Sequence, residues 1–346
     1  MTSSSSVDDV SILKTLWGRD PDGGWGMRGA KGLTLKPRAG FDASFFKFES
    51  RLELLTQTPG PNELFSAFGP TDFLLKQSIL PVVAWNDGDT VLRCIGTASV
   101  ISCSGYVMTA SHVLLDPKES GYGDVSRNGN TLTFGKSLNV GVFIPTNPAS
   151  NVDGLIFFRF EQSWFWGGWK SSPLIHEDDR FEYLTDVAIC KIAPMPSGSP
   201  HQPLNLSLHN FRPGEKAYAY GYALMNDIPI NATGGISREH RPDLYVSVGH
   251  VMRVFPKNHL QKEVPTPGPC FDFNARIPGK MSGGPILGAD GAVVRGIVSR
   301  SYSQESHAYG GMLAPVMRLP LGSGHSFQTM MELGNEGIAR ISGPGL

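Results

Sequence analysis

Three short segments carry side chains whose types, taken together, define a chemistry. His112 stands near the end of Gly96-Thr-Ala-Ser-Val-Ile-Ser-Cys-Ser-Gly-Tyr-Val-Met-Thr-Ala-Ser-His112-Val-Leu, Asp186 lies in Leu184-Thr-Asp186-Val-Ala-Ile-Cys-Lys-Ile, and Ser282 lies in Pro278-Gly-Lys-Met-Ser282-Gly-Gly-Pro285-Ile. A serine hydroxyl is a weak nucleophile until a base within hydrogen-bond reach takes its proton. A histidine can accept that proton and return it to a leaving amine, and a buried carboxylate can fix the imidazole tautomer and stabilise the imidazolium. Each segment alone has a bland reading, as a surface histidine, a turn aspartate or a glycine loop. The three in the order His, Asp, Ser point to acyl transfer through a covalent serine intermediate. Gly283 and Gly284 let the backbone turn tightly beside the nucleophile.

Strands must position these groups. Runs rich in β-branched and aromatic residues predict strands over 78–85, 90–102, 106–110, 131–134, 139–144, 154–160 and 186–192. A second series follows over 215–222, 244–254, 292–300 and 311–316. The stretch from Ala193 to Pro200 reads as a linker between two strand-rich halves. His112 then follows a strand, Asp186 opens a buried one, and Ser282 sits in a glycine turn. Ser326 is placed to cap a short helix over 327–333. Residues 1–75 differ, with helix candidates over 7–17 and 42–55 around a glycine-rich stretch. Its Gly24-Trp-Gly-Met-Arg-Gly29 run reads as a loop rather than a nucleotide site, because no strand leads into it. The aromatic run Gln162-Ser-Trp-Phe-Trp-Gly-Gly-Trp169 reads as a packed loop or as a partner-binding patch, with packing the favoured reading.

Composition narrows the function classes. The 346 residues carry a formal net charge of −1, with 40% hydrophobic and 18% charged residues, so nothing in the charge balance suggests a nucleic-acid partner. No apolar run reaches the ~20 residues that span a bilayer. The N-terminus lacks a basic and apolar leader, so the expected location is cytoplasmic, without a membrane partner. Cys94, Cys103, Cys190 and Cys270 show neither C-x-x-C spacing nor paired histidines, so they are expected as reduced thiols, with no metal and no cofactor.

At the T-A-S-H-V, D-V-A-I and S-G-G-P phrases around His112, Asp186 and Ser282, with Gly221-Tyr222, the sequence resembles the trypsin-like serine peptidases, especially the bacterial intracellular and HtrA-like branch. The resemblance spans about residues 78–321. It implies an all-β fold of two six-stranded antiparallel β-barrels, with the active site in the cleft between them. The implied division is an extension of unknown role and mixed structure (1–75), a first barrel with His112 and Asp186 (76–195), a second barrel with Ser282 (196–321), and a tail with a short helix (322–346). Residues 322–346 are too few for a PDZ domain. The implied function is a serine endopeptidase acting on protein or peptide substrates through an acyl-enzyme. Two other readings use the same residues: a pseudoprotease that binds peptides without turnover, and an esterase or amidase.

The family pattern Gly-x-Ser-Gly-Gly is altered here. Lys280 stands two residues before Ser282, and Gly279 one residue further back. Either the loop carries an insertion and Gly279 supplies one oxyanion-hole amide, or Lys280 supplies it, with Ser282 as the other donor. Met281 replaces the aspartate that pairs with a newly cut N-terminus in digestive relatives, so activity is expected without such a cut. By resemblance, Ser299, Arg300 and Ser301 form the edge that pairs with substrate backbone, and residues 274–277 form a pocket wall. Arg276 and Arg300 either favour an acidic side chain before the scissile bond or point into solvent.

Overall fold

A computed structural model describes residues 15–19, 25–29, 36–37, 45–47, 77–102, 104–145, 155–170, 180–193, 203–223, 225, 227–229, 244–256, 264–288, 293–301, 307–322, 324–333 and 341–343. The linker expected after Ala193, the thiol of Cys103 and the first eight residues of the helix candidate over 7–17 lie outside these residues.

Where helices were expected near the N-terminus, the described residues form strands. β1 (Thr15–Arg19) and β2 (Trp25–Gly29) pair as an antiparallel hairpin, so the glycine run is a strand and not a loop. β3 (Lys36–Pro37) pairs β4 (Phe45–Lys47), within the second expected helix. Strand pairing has overridden local propensity in both places.

The next nine strands make the first sheet. They are β5 (Ile79–Asn86), β6 (Val91–Ser102), β7 (Tyr106–Ala110), β8 (Val125–Asn128), β9 (Thr131–Phe134), β10 (Leu138–Pro145), β11 (Leu155–Arg159), β12 (Gln162–Lys170) and β13 (Arg180–Lys191). Their order is β11-β10-β5-β6-β7-β13-β12-β9-β8, antiparallel throughout. β5 and β6 are buried on both faces along most of their length, which suits their near-continuous apolar sequence. The aromatic run is β12, with Trp164 and Phe165 in the core. A helix that the sequence did not announce, α1 (Ser111–Glu119), follows β7 directly.

The second sheet uses β14 (Asn205–Ser207), β15 (Lys216–Gly221), β17 (Tyr245–Phe255), β18 (Cys270–Phe273), β19 (Pro285–Gly288), β20 (Val293–Ser301), β21 (Ala308–Met312) and β22 (Ile341–Ser342), while β16 (Ile228–Pro229) crosses to pair with β6. The path β15-β19-β20-β21-β18-β17 closes on itself through the β15–β17 ladder, giving a six-stranded antiparallel barrel. β4 adds to it along Tyr245–Ser247, so part of the N-terminal extension belongs to this sheet. The strand expected over 311–316 is displaced: β21 ends at Met312, and a 3-10 turn covers Ala314–Arg318. The Ser326-capped helix is present as α2 (Phe327–Leu333), with Thr329 N–H donating to Ser326 Oγ at 3.1 Å. The fold is the chymotrypsin-like two-barrel fold, nearly all-β.

Candidate active site

His112 lies in the first turn of α1, where backbone N–H groups have no partner within the helix. Asp186 supplies one. Its Oδ1 accepts from the His112 amide at 3.2 Å, and its Oδ2 lies 2.9 Å from His112 Nδ1. One carboxylate therefore caps the helix start and orients the ring that the helix carries, and a negative charge at a helix N-terminus is favourable in itself. Asp186 does not open its strand as expected. It lies well inside β13, 3% exposed, with Val187 paired to Ala110 of β7. That ladder brings residues 74 positions apart into contact.

A third group on Asp186 comes from the other sheet. Ser299 of β20, fully buried, donates its hydroxyl to Asp186 Oδ2, and Thr266 Oγ1 lies 3.0 Å from the same hydroxyl. Burial alone would push the Asp186 carboxyl up. The His112 charge, the hydrogen bonds from the imidazole and Ser299, and the His112 amide together outweigh burial and hold it below the ordinary carboxylate value. Asp186 is therefore ionised at neutral pH, as an imidazole-orienting carboxylate must be.

Ser282 sits in the turn before β19. Its hydroxyl donates to the Ser299 carbonyl at 3.3 Å, so the hydrogen bond from Oγ runs along β20 and not to the imidazole. The two glycines after it are fixed by space. Gly283 has φ +84°, and a Cβ there would overlap Thr109 Oγ1 and the Thr97 carbonyl; at Gly284 a Cβ would overlap the Tyr220 carbonyl. Their amides are already used, Gly283 N–H on the Val298 carbonyl at 2.7 Å and Gly284 N–H on the Met281 carbonyl at 2.9 Å. Among the described residues, the amides of Lys280 and Ser282 donate to no backbone carbonyl. Lys280 has φ +78°, whereas Gly279 does not adopt a positive φ and is exposed.

The remaining expected residues divide. Ser301 donates to the Ile277 carbonyl at 2.8 Å, linking β20 to the segment before the loop. Arg300 is exposed and pairs through its backbone with Tyr309 of β21. Arg276 is half-buried, its carbonyl accepting from Ser247 Oγ at 2.6 Å. Beyond Ile297 the β19–β20 ladder has ended, so 299–301 present a strand edge on that side. Two contributions were missed from sequence. The side chain of Ser299 serves Asp186, and Thr97 bonds the Ser282 carbonyl through its amide at 2.8 Å and the Lys280 carbonyl through its hydroxyl at 2.9 Å. No local signal marks either one, since a buried serine or threonine in a strand is common.

The thiols of Cys94, Cys190 and Cys270 are free and buried, and burial pushes each up to about 12, so they are inert packing groups. Among the described residues no helix is long and apolar enough to cross a membrane.

The model of the trypsin-like peptidase domain matches residues 96–297, a span that holds His112, Asp186 and Ser282. No curated protein matches the sequence. Among solved structures, neuropsin, a serine protease expressed in the limbic system of mouse brain, is similar at 12% identity and TM-score 0.40, over 68% of this chain and 89% of that one. Deg5 is similar at 15% identity and TM-score 0.40, over 71% and 90%. The active form of the Rv3671c protease from M. tuberculosis is similar at 17% identity and TM-score 0.37, over 76% and 89%. The family match covers more than half of the sequence, and the chain belongs to the trypsin-like peptidase family, a family of serine protease hydrolases.

Proposed function

We propose that this chain is an active serine endopeptidase in which Ser282 is the nucleophile, His112 the general base and Asp186 the orienting carboxylate. The observation that carries the reading is the chain of bonds from His112 Nδ1 to Asp186, and from Ser299 to the same carboxylate. It leaves the imidazole with one edge committed and Nε2 available as the base.

The steps follow from these groups. A peptide lying along the open edge at 299–301 would present its carbonyl to Ser282. Rotation of the Ser282 hydroxyl away from the Ser299 carbonyl lets His112 take its proton as the oxygen attacks, and the Lys280 and Ser282 amides receive the developing oxyanion. Collapse of the tetrahedral intermediate expels the amine, protonated by His112, and leaves an acyl-enzyme. Water activated by the same imidazole then hydrolyses the ester and restores the serine. Lys280 at φ +78° supports Lys280, and not Gly279, as the amide donor. Arg276 and Arg300 are the candidates for subsite choice, and the exposure of Arg300 fits the alternative that it points into solvent.

A second reading has one observation in its favour: Ser282 Oγ bonds a carbonyl and not His112, as a peptide-binding module without turnover would allow. A fluorophosphonate separates the two. Stoichiometric labelling of the full chain that disappears in both Ser282→Ala and His112→Ala supports the endopeptidase. A wild-type chain that resists the label would replace that reading with the binding module. Peptide and ester panels then separate a peptidase from an esterase.

A further inference from the structure

Lys280 is the one residue other than glycine with positive φ among the described residues. A side chain with a Cβ is disfavoured in this region, so the surroundings must hold it there. The holding groups lie in the first sheet. The Lys280 ammonium donates to the Cys94 carbonyl at 2.6 Å, and the Lys280 carbonyl accepts from Thr97 Oγ1 at 2.9 Å. Thr97 N–H donates to the Ser282 carbonyl at 2.8 Å, and Thr97 Oγ1 accepts from the Tyr222 amide at 3.0 Å.

The acceptor carbonyl lies beside an irregularity in β6. Val82 pairs with Gly96 and Val83 with Cys94, so Ile95 is an extra residue, and the bulge turns the strand at the point where Lys280 reaches it. Burial keeps the Cys94 thiol protonated, pushed up to about 12, so the ammonium meets a carbonyl dipole and not a thiolate. Between Lys280 and Ser282, Met281 is fully buried in the second core and packs against Gly221. An ammonium latch on one side and an apolar plug on the other hold the loop.

We propose that Lys280 is a positioning residue whose ammonium, latched to the Cys94 carbonyl, holds the loop so that the Lys280 and Ser282 amides face an oxyanion in the uncut chain. This deepens the endopeptidase reading and rests on it for its catalytic consequence. The latch itself is a structural claim that can be tested apart from turnover.

The experiment uses the full chain with Lys280→Gly, Lys280→Met and Lys280→Arg. Glycine removes the ammonium and relieves the backbone, methionine removes the ammonium and keeps a long side chain, and arginine keeps the cation. Hydrogen exchange over 278–284 reads the latch directly; it should quicken by about tenfold in the glycine and methionine variants and stay near wild type in arginine. On a reporter peptide, kcat should fall by about 10- to 100-fold in glycine and methionine with KM changed less than about twofold. Affinity for a peptide aldehyde, bound as a tetrahedral adduct, should fall by the same factor as kcat. Recovery of both by arginine separates the cation from mere bulk. Unchanged exchange in Lys280→Gly, or kcat and aldehyde affinity at wild-type level in that variant, overturns the proposal. If exchange responds as expected but the wild-type chain resists a fluorophosphonate, the latch stands and the endopeptidase reading is the one that fails.

Discussion

Asp186 and Ser282 are held in place by different kinds of structure. Asp186 lies within a twelve-residue strand, and its carboxylate takes bonds from the start of α1, the imidazole and Ser299. Ser282 lies in a turn that is held from both sheets: Val298 and Ser299 of β20 bond it from its own side, and the first sheet adds Thr97 on two carbonyls and the Cys94 carbonyl on Lys280. The traffic runs both ways, since Ser299 reaches from the second sheet to the carboxylate of the first. Each sheet therefore orients a group that belongs to the other. A ladder suffices for a carboxylate whose task is static. The loop proposed to carry the nucleophile has only a short backbone pairing with Val298, and its geometry depends as well on how the two sheets dock.

The sharpest break in this comparison should come from the carboxylate. Asp186→Asn keeps the shape but supplies an amide group where the imidazole requires an acceptor, and kcat should fall by about 10⁴-fold with the fold retained. A smaller loss, measured by initial rates beside an unchanged circular dichroism spectrum, would show that Ser299 or the helix start orients the ring without it. The loop should break by a different route. In Gly283→Ala the new Cβ meets Thr109 and Thr97 at a positive φ, so denaturant unfolding should show a loss of about 2–4 kcal/mol in stability. A fully stable variant would mean that the two sheets dock less tightly than the contacts indicate.

Ser299→Ala removes the bond that crosses between the sheets to Asp186. Turnover should drop by about tenfold and stability by about 1 kcal/mol, since one charge-assisted hydrogen bond is lost while the imidazole remains. An effect on KM alone would instead tie Ser299 to substrate binding. The smallest effect is on acid stability. The Asp186 pKa is held below its unfolded value of about 3.9, so its stabilisation is present above that pH and is lost as pH falls through the depressed folded value. Wild type should therefore lose stability faster than Asp186→Asn as the pH is lowered from about 4, and parallel acid limbs in denaturant titrations would contradict the pairing.

Several features were legible because they are local. The alternation of apolar runs and turns located most of the strands, the Ser326 cap located α2, and three of the four expected thiols, Cys94, Cys190 and Cys270, are free and buried. The N-terminal strands were misread because glycine-rich and mixed segments have weak local preference, and a partner strand decides their state. α1 was invisible because its start has no side-chain cap of its own; the capping oxygen comes from Asp186.

The sequence by itself showed His112, Asp186 and Ser282 in the order that a proposed triad needs, the strand-rich character of most of the chain and a methionine at position 281. These follow from residue types and short spacings. Tertiary structure alone decided that Asp186 would cap α1, that the hydroxyl of Ser299 would serve Asp186 across 113 positions, and that Lys280 would be latched across 186. The reason is physical: a hydrogen bond between residues so far apart depends on how the two sheets pack, and local periodicity carries no record of that packing.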